Sequence, residues 1–384
     1  QKAEGQADKK QSAVQRVALG KAVDFYQQYI ATFPRDPKVP EMTYMAGEAS
    51  FDGGNYLVAI DLYEKSAYEL KDVKHGANAG YAAIIAYQKQ LALDEEKAGK
   101  GSPQMQALQQ RSVDSKLSFV QNYRADSRSA SVMASTSEEL FALKQYDRAL
   151  EVAQSVMSQQ GELDRGLANT AQGVIAMSYY ETGKLQQAER AYQKQLEYVD
   201  EKDERKRIQE NIAAIAYKQG EAAIADGGVE DAIDHFLRIK KLAPNSEVRI
   251  VAQYDAASHL IAAGRYGAAI AELNELHTAF PGNQFSTEIS NKLAYAFEKS
   301  GQFNQAADQY IAIYRKNPDA DVRRDALFSA AECNKNAGNV DTAIEQYKRW
   351  AHQYEQPFPT RMEAKFNLAS LYERKMDKDR HLYW

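Results

Sequence analysis

The side chains that could do chemistry are few and lie far apart along the chain. Six histidines occur in 384 residues, and no two lie three or four positions apart, the spacing that places two metal ligands on one helix face. The single cysteine, Cys333, stands two residues after Ala331 in an apolar setting, where it is expected to pack as a small apolar side chain. Nothing in the sequence places a histidine beside this thiol. The sequence therefore predicts no metal site and no catalytic thiol.

Signatures of phosphate binding and of paired catalytic carboxylates are also missing. The chain has no Gly-Lys-Ser/Thr loop, no Gly-x-Gly-x-x-Gly after a strand, and no strand pattern at all. The pairs Gly53–Gly54 and Gly227–Gly228 fall at turn positions, and the acidic run at residues 94–96 is expected to be a solvated surface. We predict a protein that is not an enzyme and that uses no cofactor.

Composition and charge narrow the range of partners. Hydrophobic residues make up 44% and charged residues 26%, with a net charge of −5. This mild acidity argues against nucleic acid, which needs a basic face, and against a polybasic membrane contact. No apolar run approaches the roughly 20 residues that span a bilayer. A lone cysteine forms no internal disulfide, which suits both the cytosol and the bacterial periplasm.

A fixed period organises most of the chain. Gly227, Gly264, Gly301 and Gly338 follow one another at intervals of 37 residues, the signature of a repeat architecture. Around each glycine the sequence reads as a helix, a turn and a second helix, and a proline such as Pro318 ends several of the second helices. The pattern therefore predicts consecutive helix–turn–helix hairpins.

Aligning the hairpins gives columns that each hold one size of side chain. The small column of the first helices holds Gly47, Ser137, Ala176, Gly220, Ala257, Ala294 and Ala331. The small column of the second helices holds Ala22, Ala59, Ala149, Ala188, Ala232, Ala269, Ala306 and Ala343. An aromatic residue usually follows four positions later. A bulky side chain in a small column is expected to cost about 1–3 kcal/mol through overpacking.

The rhythm divides the chain into four segments. Residues 1–12 are polar and are expected to form a disordered lead-in, and residues 13–74 hold the first repeats. Residues 75–135 break the period and predict a divergent, long helical hairpin, in which Ser102 and Pro103 start a new helix. Residues 136–384 hold further repeats. Because the last predicted helix lacks its partner, we expect the native chain to continue beyond residue 384.

This column pattern resembles the tetratricopeptide repeat. The resemblance covers about residues 13–380 and implies an all-α, right-handed α-solenoid whose first helices line a concave surface. The 37-residue spacing and the closures at Phe33–Pro34 and Phe280–Pro281 are similar to those of envelope proteins of Gram-negative bacteria. These are the periplasmic or outer-membrane-associated repeat proteins of the BamD and CpoB type and those accompanying TonB or Tol systems.

The first-helix columns that face this concave surface are the best candidates for partner binding. Tyrosines and glutamates predominate there and suit an extended peptide or a segment of another protein. The candidate residues are Tyr44, Glu48, Tyr217, Glu221, Tyr254, Ser258, Asn291, Tyr295 and Phe328. The alternative is that these tyrosines only pack within their own repeats. The paired Lys and Asn with which the chaperone-binding version of the repeat holds a C-terminal carboxylate are absent, which argues against that type of adaptor.

These observations favour a protein–protein interaction scaffold of the bacterial cell envelope. Its expected partner is a protein or peptide, possible complexes being of the barrel-assembly, Tol or TonB type, and its expected location is the periplasm. Two alternatives remain open. One is a cytosolic regulator that senses a peptide, which would be located in the cytoplasm, and the other is the repeat arm of a larger enzyme.

Overall fold

The computed structural model describes the backbone of residues 2–98, 102–159 and 163–384, and the side chains of residues 14–96, 102–159 and 163–384. This part of the chain contains nineteen α-helices and no strand. The helices are α1 (Lys2–Thr32), α2 (Val39–Asp52), α3 (Tyr56–Glu64), α4 (Gly76–Ala98), α5 (Pro103–Asn122), α6 (Ser129–Ala142), α7 (Tyr146–Met157), α8 (Arg165–Glu181), α9 (Leu185–Gln195), α10 (Lys202–Ala225), α11 (Val229–Leu242), α12 (Glu247–Ala262), α13 (Tyr266–Ala279), α14 (Ser286–Lys299), α15 (Phe303–Lys316), α16 (Ala320–Asn336), α17 (Val340–Gln353), α18 (Phe358–Arg374) and α19 (Lys378–Tyr383).

The chain forms two compact units, unit 1 (Gln1–Glu201) and unit 2 (Lys202–Trp384). Within each unit, helices that follow one another in sequence pack against one another as hairpins. The predicted all-α solenoid of helix–turn–helix repeats is confirmed, while the right-handed sense implied by the resemblance stays a prediction. Among the described residues, no helix combines the length and the apolar character needed to cross a bilayer.

The turns of unit 2 follow directly from the glycines of the 37-residue period. The four glycines from Gly227 to Gly338 have φ between 72° and 82°, a left-handed conformation that costs glycine little because it lacks a Cβ. At Gly301 the amide donates to the carbonyl of Glu298, and the next amide, of Gln302, donates to the carbonyl of Phe297 at 2.8 Å. These bonds satisfy the free carbonyls at the end of α14 and reverse the chain into α15.

The small columns bring the two helices of each hairpin close together. Ala232, Ala269, Ala306 and Ala343 are all completely buried, one in each second helix from α11 to α17. Gly220 in α10 is small because the ring of Phe236 in α11 lies against it. A Cβ at this glycine would stand 2.7 and 2.8 Å from the Cδ1 and Cζ atoms of that ring, well inside van der Waals contact.

Unit 1 contains the same hairpins and one that departs from the period. Its α4 and α5 are 23 and 20 residues long, and α6 already begins at Ser129. Ser102 caps α5, because its hydroxyl accepts a hydrogen bond from the amide of Met105 at 3.2 Å. Phe119 is completely buried between the rings of Tyr81 and Tyr123, at 6.0 and 5.5 Å between centroids. Helix α3 continues into a π-helical turn, Lys65–Glu69.

The disordered lead-in expected at residues 1–12 is not what the structure has. Helix α1 begins at Lys2, while residue 1 lies outside the described part of the chain. The segment holds no proline and is rich in Ala, Gln, Lys and Glu, which are good helix formers. Extending an existing helix needs no new nucleation, so the polar residues continue the helix that residues 13–32 begin.

Candidate functional site

The candidate partner-binding residues lie on the first helices of the hairpins, as the alignment of columns predicted. Tyr44 and Glu48 stand on α2 in unit 1. The other seven stand on α10, α12, α14 and α16 of unit 2, and together they define what we call the first-helix face: Tyr217, Glu221, Tyr254, Ser258, Asn291, Tyr295 and Phe328. Their role in binding stays a prediction, and their contacts divide them into two groups.

Two lateral contacts join neighbouring first helices of unit 2. The hydroxyl of Tyr217 on α10 donates a hydrogen bond to Oδ2 of Asp255 on α12 at 2.8 Å. The ring of Tyr254 on α12 stacks on Phe285 at 4.4 Å, and the ammonium of Lys292 on α14 lies 5.1 Å from the centroid of the same ring. In both cases a tyrosine contacts a charged residue 38 positions later. The contacts hold α10, α12 and α14 side by side in one row.

The environment of Tyr217 fixes its hydroxyl as a donor. Burial raises the pKa of this tyrosine well above its usual value, and the hydrogen bond to Asp255 and the charges of Asp255 and Glu221 raise it further. The hydroxyl therefore stays protonated across the physiological range, and its proton points at the carboxylate. This tyrosine organises the row from a half-buried position.

Three residues of the first-helix face are exposed to solvent. Glu221 and Asn291 belong to this group, and Tyr295 exposes 42% of its surface. The ammonium of Lys299, one turn further along α14, lies 5.4 Å from the centroid of the Tyr295 ring. The row of helices thus presents three kinds of group to solvent: the carboxylate of Glu221, the amide of Asn291 and the ring of Tyr295, which lies beside an ammonium.

Other candidates are engaged in packing. Phe328 contacts Tyr347 and Trp350 edge-on, each at 5.7 Å between ring centroids. The hydroxyl of Ser258 donates to the backbone carbonyl of Tyr254 at 2.8 Å. These contacts favour the alternative that some of the candidate residues pack within the repeat array.

In unit 1, Tyr44 and Glu48 are likewise engaged. The ring of Tyr44 stacks on His75 at 4.7 Å. Glu48 accepts a hydrogen bond from the hydroxyl of Tyr63 at 2.6 Å, across its own hairpin. Both residues lie in unit 1, so they are not part of the row of helices in unit 2.

In four hairpins a glutamate follows the small column of the first helix. Whether its carboxylate accepts a hydrogen bond within the hairpin depends on the residue that faces it from the second helix. Glu48 accepts from Tyr63, and Glu332 accepts from Tyr347 in the same way. Where Phe236 replaces the tyrosine, Glu221 is exposed. Glu138 is also exposed, and in its hairpin the position is an alanine. The two glutamates that accept from a phenolic hydroxyl are half-buried, and Glu332 is held by Lys335 and Asn367 as well. The two glutamates that lack a phenolic hydroxyl opposite them are exposed.

Sequence reasoning missed the charged residues that complete the row, namely Asp255, Lys292 and Lys299. The signal for the first two was present as an offset of 38 between a tyrosine column and a charged position in the next repeat. It was hidden because the alignment compared equal columns, which are 37 residues apart.

No arrangement for metal or thiol chemistry accompanies these residues. Within the residues described, no group of three or more His, Cys, Asp or Glu side chains is placed to hold a metal ion. Cys333 is buried, and burial, followed by the charges of Glu298 and Glu332, raises the pKa of its thiol to about 12. This thiol is protonated and unreactive near neutral pH.

Comparison with known proteins agrees with the repeat pattern. The profile of the tetratricopeptide repeat family matches residues 174–247 and 291–361, so these segments are similar to tetratricopeptide repeats. A comparison with curated protein sequences found no match.

Three of the solved structures that match this chain are the following. The C-terminal part of a TPR repeat-containing protein from Cytophaga hutchinsonii is 15% identical, with 65% of this chain and 91% of that chain covered and a TM-score of 0.34. The MamA protein is 20% identical, with 44% and 86% covered and a TM-score of 0.35. A tetratricopeptide repeat protein from Parabacteroides merdae is 12% identical, with 74% and 98% covered and a TM-score of 0.30.

Proposed function

We propose that this protein is a scaffold that binds an extended segment of a partner protein along the first-helix face of unit 2. The observation that carries the proposal is that some residues of the row make contacts between helices while their neighbours are exposed to solvent. Tyr217 and Tyr254 are fixed by contacts between helices, whereas Glu221, Asn291 and Tyr295 remain exposed beside them. A rigid row that carries exposed polar and aromatic groups suits the recognition of a peptide.

The exposed groups indicate what the partner segment offers. The Asn291 amide can donate to and accept from an extended backbone, and the Tyr295 ring provides a flat apolar contact whose edge remains hydrated. Glu221 favours a basic side chain at the α10 end of the row. We therefore expect a segment with an apolar or aromatic anchor and at least one basic residue.

Site-specific photo-crosslinking in the native host tests this proposal. A photoreactive amino acid at Tyr295 or at Glu221 is expected to give a covalent adduct with the partner. The same amino acid at Asp308, an exposed position on the second helix α15, is the control and is expected to give none. Equal adducts at all three positions would remove the first-helix face from consideration.

A set of substitutions separates binding from folding. Replacing Tyr217 and Tyr254 with alanine would break the contacts that join the helices, so a loss of binding there could reflect a disturbed row. Tyr295→Ala and Glu221→Gln change groups that are exposed at the surface, and each is expected to weaken partner capture about fivefold or more. The helical melt should be unchanged in Glu221→Gln, and it is measured for Tyr295→Ala because that ring also meets Tyr266 edge-on at 6.4 Å. Glu138→Gln, the exposed glutamate of the same column in unit 1, is the matched control and should bind normally.

The proposed location is the Gram-negative periplasm, where the scaffold would serve envelope assembly or an energy-transducing complex of the barrel-assembly, Tol or TonB type. The 37-residue spacing and the Phe–Pro closures support this, because they are similar to those of envelope repeat proteins. Osmotic shock of the native host, with the full-length protein followed by immunoblot, tests it. Recovery in the cytoplasmic fraction would favour the cytosolic regulator instead, and a catalytic domain in the same gene would favour the repeat arm of an enzyme.

A further inference from the structure

Unit 2 contains a cavity that is lined by none of the seven residues of the first-helix face. Its volume is about 350 Å³, within the range of ligand pockets, and it lies between α13, α14 and α15. The lining side chains that matter below are His277, Ser286, Thr287, Ser290, Gln309, Ala312 and Lys316. Comparison with the neighbouring repeats explains why space exists at this place.

In the preceding repeat the equivalent place is filled by a charged cluster. The Lys240 ammonium pairs with Glu272 at 2.9 Å and with Glu275 at 3.1 Å. The Arg249 guanidinium pairs with Glu275 at 2.7 Å, and the amide of Gln253 donates to Glu272 at 2.9 Å. Two cations and two carboxylates thus neutralise one another and occupy the space.

Moving 37 residues along the chain replaces every member of this cluster by a side chain of smaller size or lower charge. Ser286 stands in the column of Arg249, Ser290 in that of Gln253, Ala312 in that of Glu275, His277 in that of Lys240 and Gln309 in that of Glu272. The backbone framework is retained while the side chains that filled it are shortened. The cavity therefore exists because this repeat has short side chains at positions where the preceding repeat has long ones.

The next repeat is filled again, by aromatic side chains. Trp350 is completely buried there, and its indole nitrogen donates to the carbonyl of Arg324 at 2.9 Å. The hydroxyl of Tyr314 donates to Gln353 at 3.2 Å. The equivalent places in the repeats before and after are both filled by side chains. The cavity is therefore specific to this repeat when it is compared with its two neighbours.

The shortened side chains also change the charge of the lining. Both carboxylates of the preceding cluster are gone, and Lys316 adds an ammonium where that repeat has Ala279. Within the described residues, no hydrogen bond or ion pair engages the side chains of four lining residues, His277, Thr287, Gln309 and Lys316. Their side-chain donors are therefore available. A cationic lining of free donors suits an anion of modest size.

We propose that this cavity receives a carboxylate side chain carried by an acidic segment of a partner protein. The carboxylate takes the position that Glu275 occupies one repeat earlier, where Lys316 pairs with it and the Gln309 amide and the Thr287 hydroxyl donate to it. The site stands apart from the first-helix face, so either proposal can fail while the other holds. It also provides a second point of contact through which a scaffold can hold a partner.

Fluorescence anisotropy with the purified 384-residue chain tests the proposal. The probes are a fluorescein-labelled peptide of six glutamates and the matched peptide of six glutamines. The glutamate peptide is expected to bind at least about fivefold more tightly at low salt, and added sodium chloride should remove the preference. Equal binding of the two peptides at low salt would overturn the proposal.

Two variants localise the binding. Lys316→Gln removes the ammonium from an exposed position and is expected to weaken binding of the glutamate peptide about fivefold. Lys241→Gln, an exposed lysine on α11, is the matched control and should leave the affinity unchanged. Similar losses in both variants would indicate general attraction between charges and would overturn the assignment to the cavity.

A filling variant gives an independent test. Ser286→Arg combined with Ala312→Glu restores two of the side chains that occupy the place in the preceding repeat, and it is expected to abolish the preference for glutamate. Its helical melt is measured alongside, and Lys316→Gln remains decisive if the filled variant folds poorly. Free glutarate serves as a competitor, since binding as tight as that of the peptide would assign the cavity to a small dicarboxylate in place of a protein segment.

Discussion

Units 1 and 2 build the same hairpin with different tolerance for variation. In unit 2 the turn glycines recur every 37 residues with nearly equal φ. Unit 1 contains the long α4–α5 hairpin and a π-helical turn at Lys65–Glu69. Its α6–α7 turn has a lysine, Lys144, with φ of 59° in place of glycine, and Met376 at the α18–α19 turn of unit 2 has the same φ. The small residues between paired helices persist in both units. Close packing between helices is therefore the strict requirement, whereas helix length and turn residue can vary.

The largest expected effect tests whether the divergent hairpin is an independent part of the fold. Phe119→Ala removes a completely buried ring from unit 1 and is expected to lower the free energy of unfolding by about 3–5 kcal/mol. Because a repeat contacts mainly its neighbours, hydrogen exchange should rise in α4–α6 and stay unchanged in α12–α17. Leu273→Ala in unit 2 is the reciprocal control, and a uniform rise in both variants would show that the units unfold as one.

The second prediction compares two glycines that lie in first helices, Gly220 of the small column in unit 2 and Gly173 in unit 1, which stands three positions before that column. Gly220→Ala in unit 2 places a Cβ against the ring of Phe236, and it is expected to lower the free energy of unfolding by about 1–3 kcal/mol, measured by urea titration. In Gly173→Ala of unit 1 the new Cβ stands 2.8 Å from the side-chain amide nitrogen of Gln195, the end of a flexible side chain, which can shift while keeping its hydrogen bond to Asn169. The gain in helix propensity, about 1 kcal/mol, should then leave this variant as stable as the wild type or more so. Equal losses would contradict the argument.

The third prediction uses the thiol of Cys333, the single cysteine of the chain, which lies in unit 2. The pKa of the Cys333 thiol is raised to about 12, so in alkali the unfolded chain loses this proton before the folded chain does. Stability is therefore full below the usual thiol pKa and falls by about 1.4 kcal/mol per pH unit above it, up to the folded value. Urea titrations between pH 8.5 and 10 should show a weaker decline in Cys333→Ala. Identical slopes in the two proteins would contradict burial of the thiol.

The smallest effect concerns the turn residue itself. Lys144→Gly replaces a residue held at positive φ by one that adopts this conformation freely, and it is expected to stabilise unit 1 by about 1 kcal/mol. Gly264→Lys makes the opposite change in unit 2 and should destabilise by a similar amount. Thermal melts of the two variants should shift in opposite directions. A destabilised Lys144→Gly would show that the lysine side chain contributes more than its backbone conformation costs.

Much of the fold could be predicted because it depends on local patterns. The regular interval between the glycines from Gly227 to Gly338 located four turns of unit 2. Ser102 followed by Pro103 located the start of α5. Each of these signals lies within one hairpin, where helix propensity, turn conformation and side-chain size act on neighbouring residues.

The candidate site was less predictable because its contacts run between hairpins. The sequence placed Tyr217 and Glu221 on the first-helix face, yet the partner of Tyr217 is a residue 38 positions away in the next hairpin. The lateral offset of neighbouring hairpins sets such a contact, and no single repeat records it. The helical start of the chain was also missed, because a polar segment carries no apolar period although its residues favour a helix.

The paired glutamates and tyrosines have a consequence for how a repeat surface diversifies. Tyr63 and Tyr347 engage Glu48 and Glu332 from inside their hairpins, whereas Phe236 leaves Glu221 to solvent. A phenolic oxygen in the interior thus contributes to how much negative charge a first helix presents, together with neighbours such as Lys335 and Asn367 at Glu332. Recognition can evolve without any change at the surface residues, and two repeats with identical exposed sequences can display different electrostatic faces.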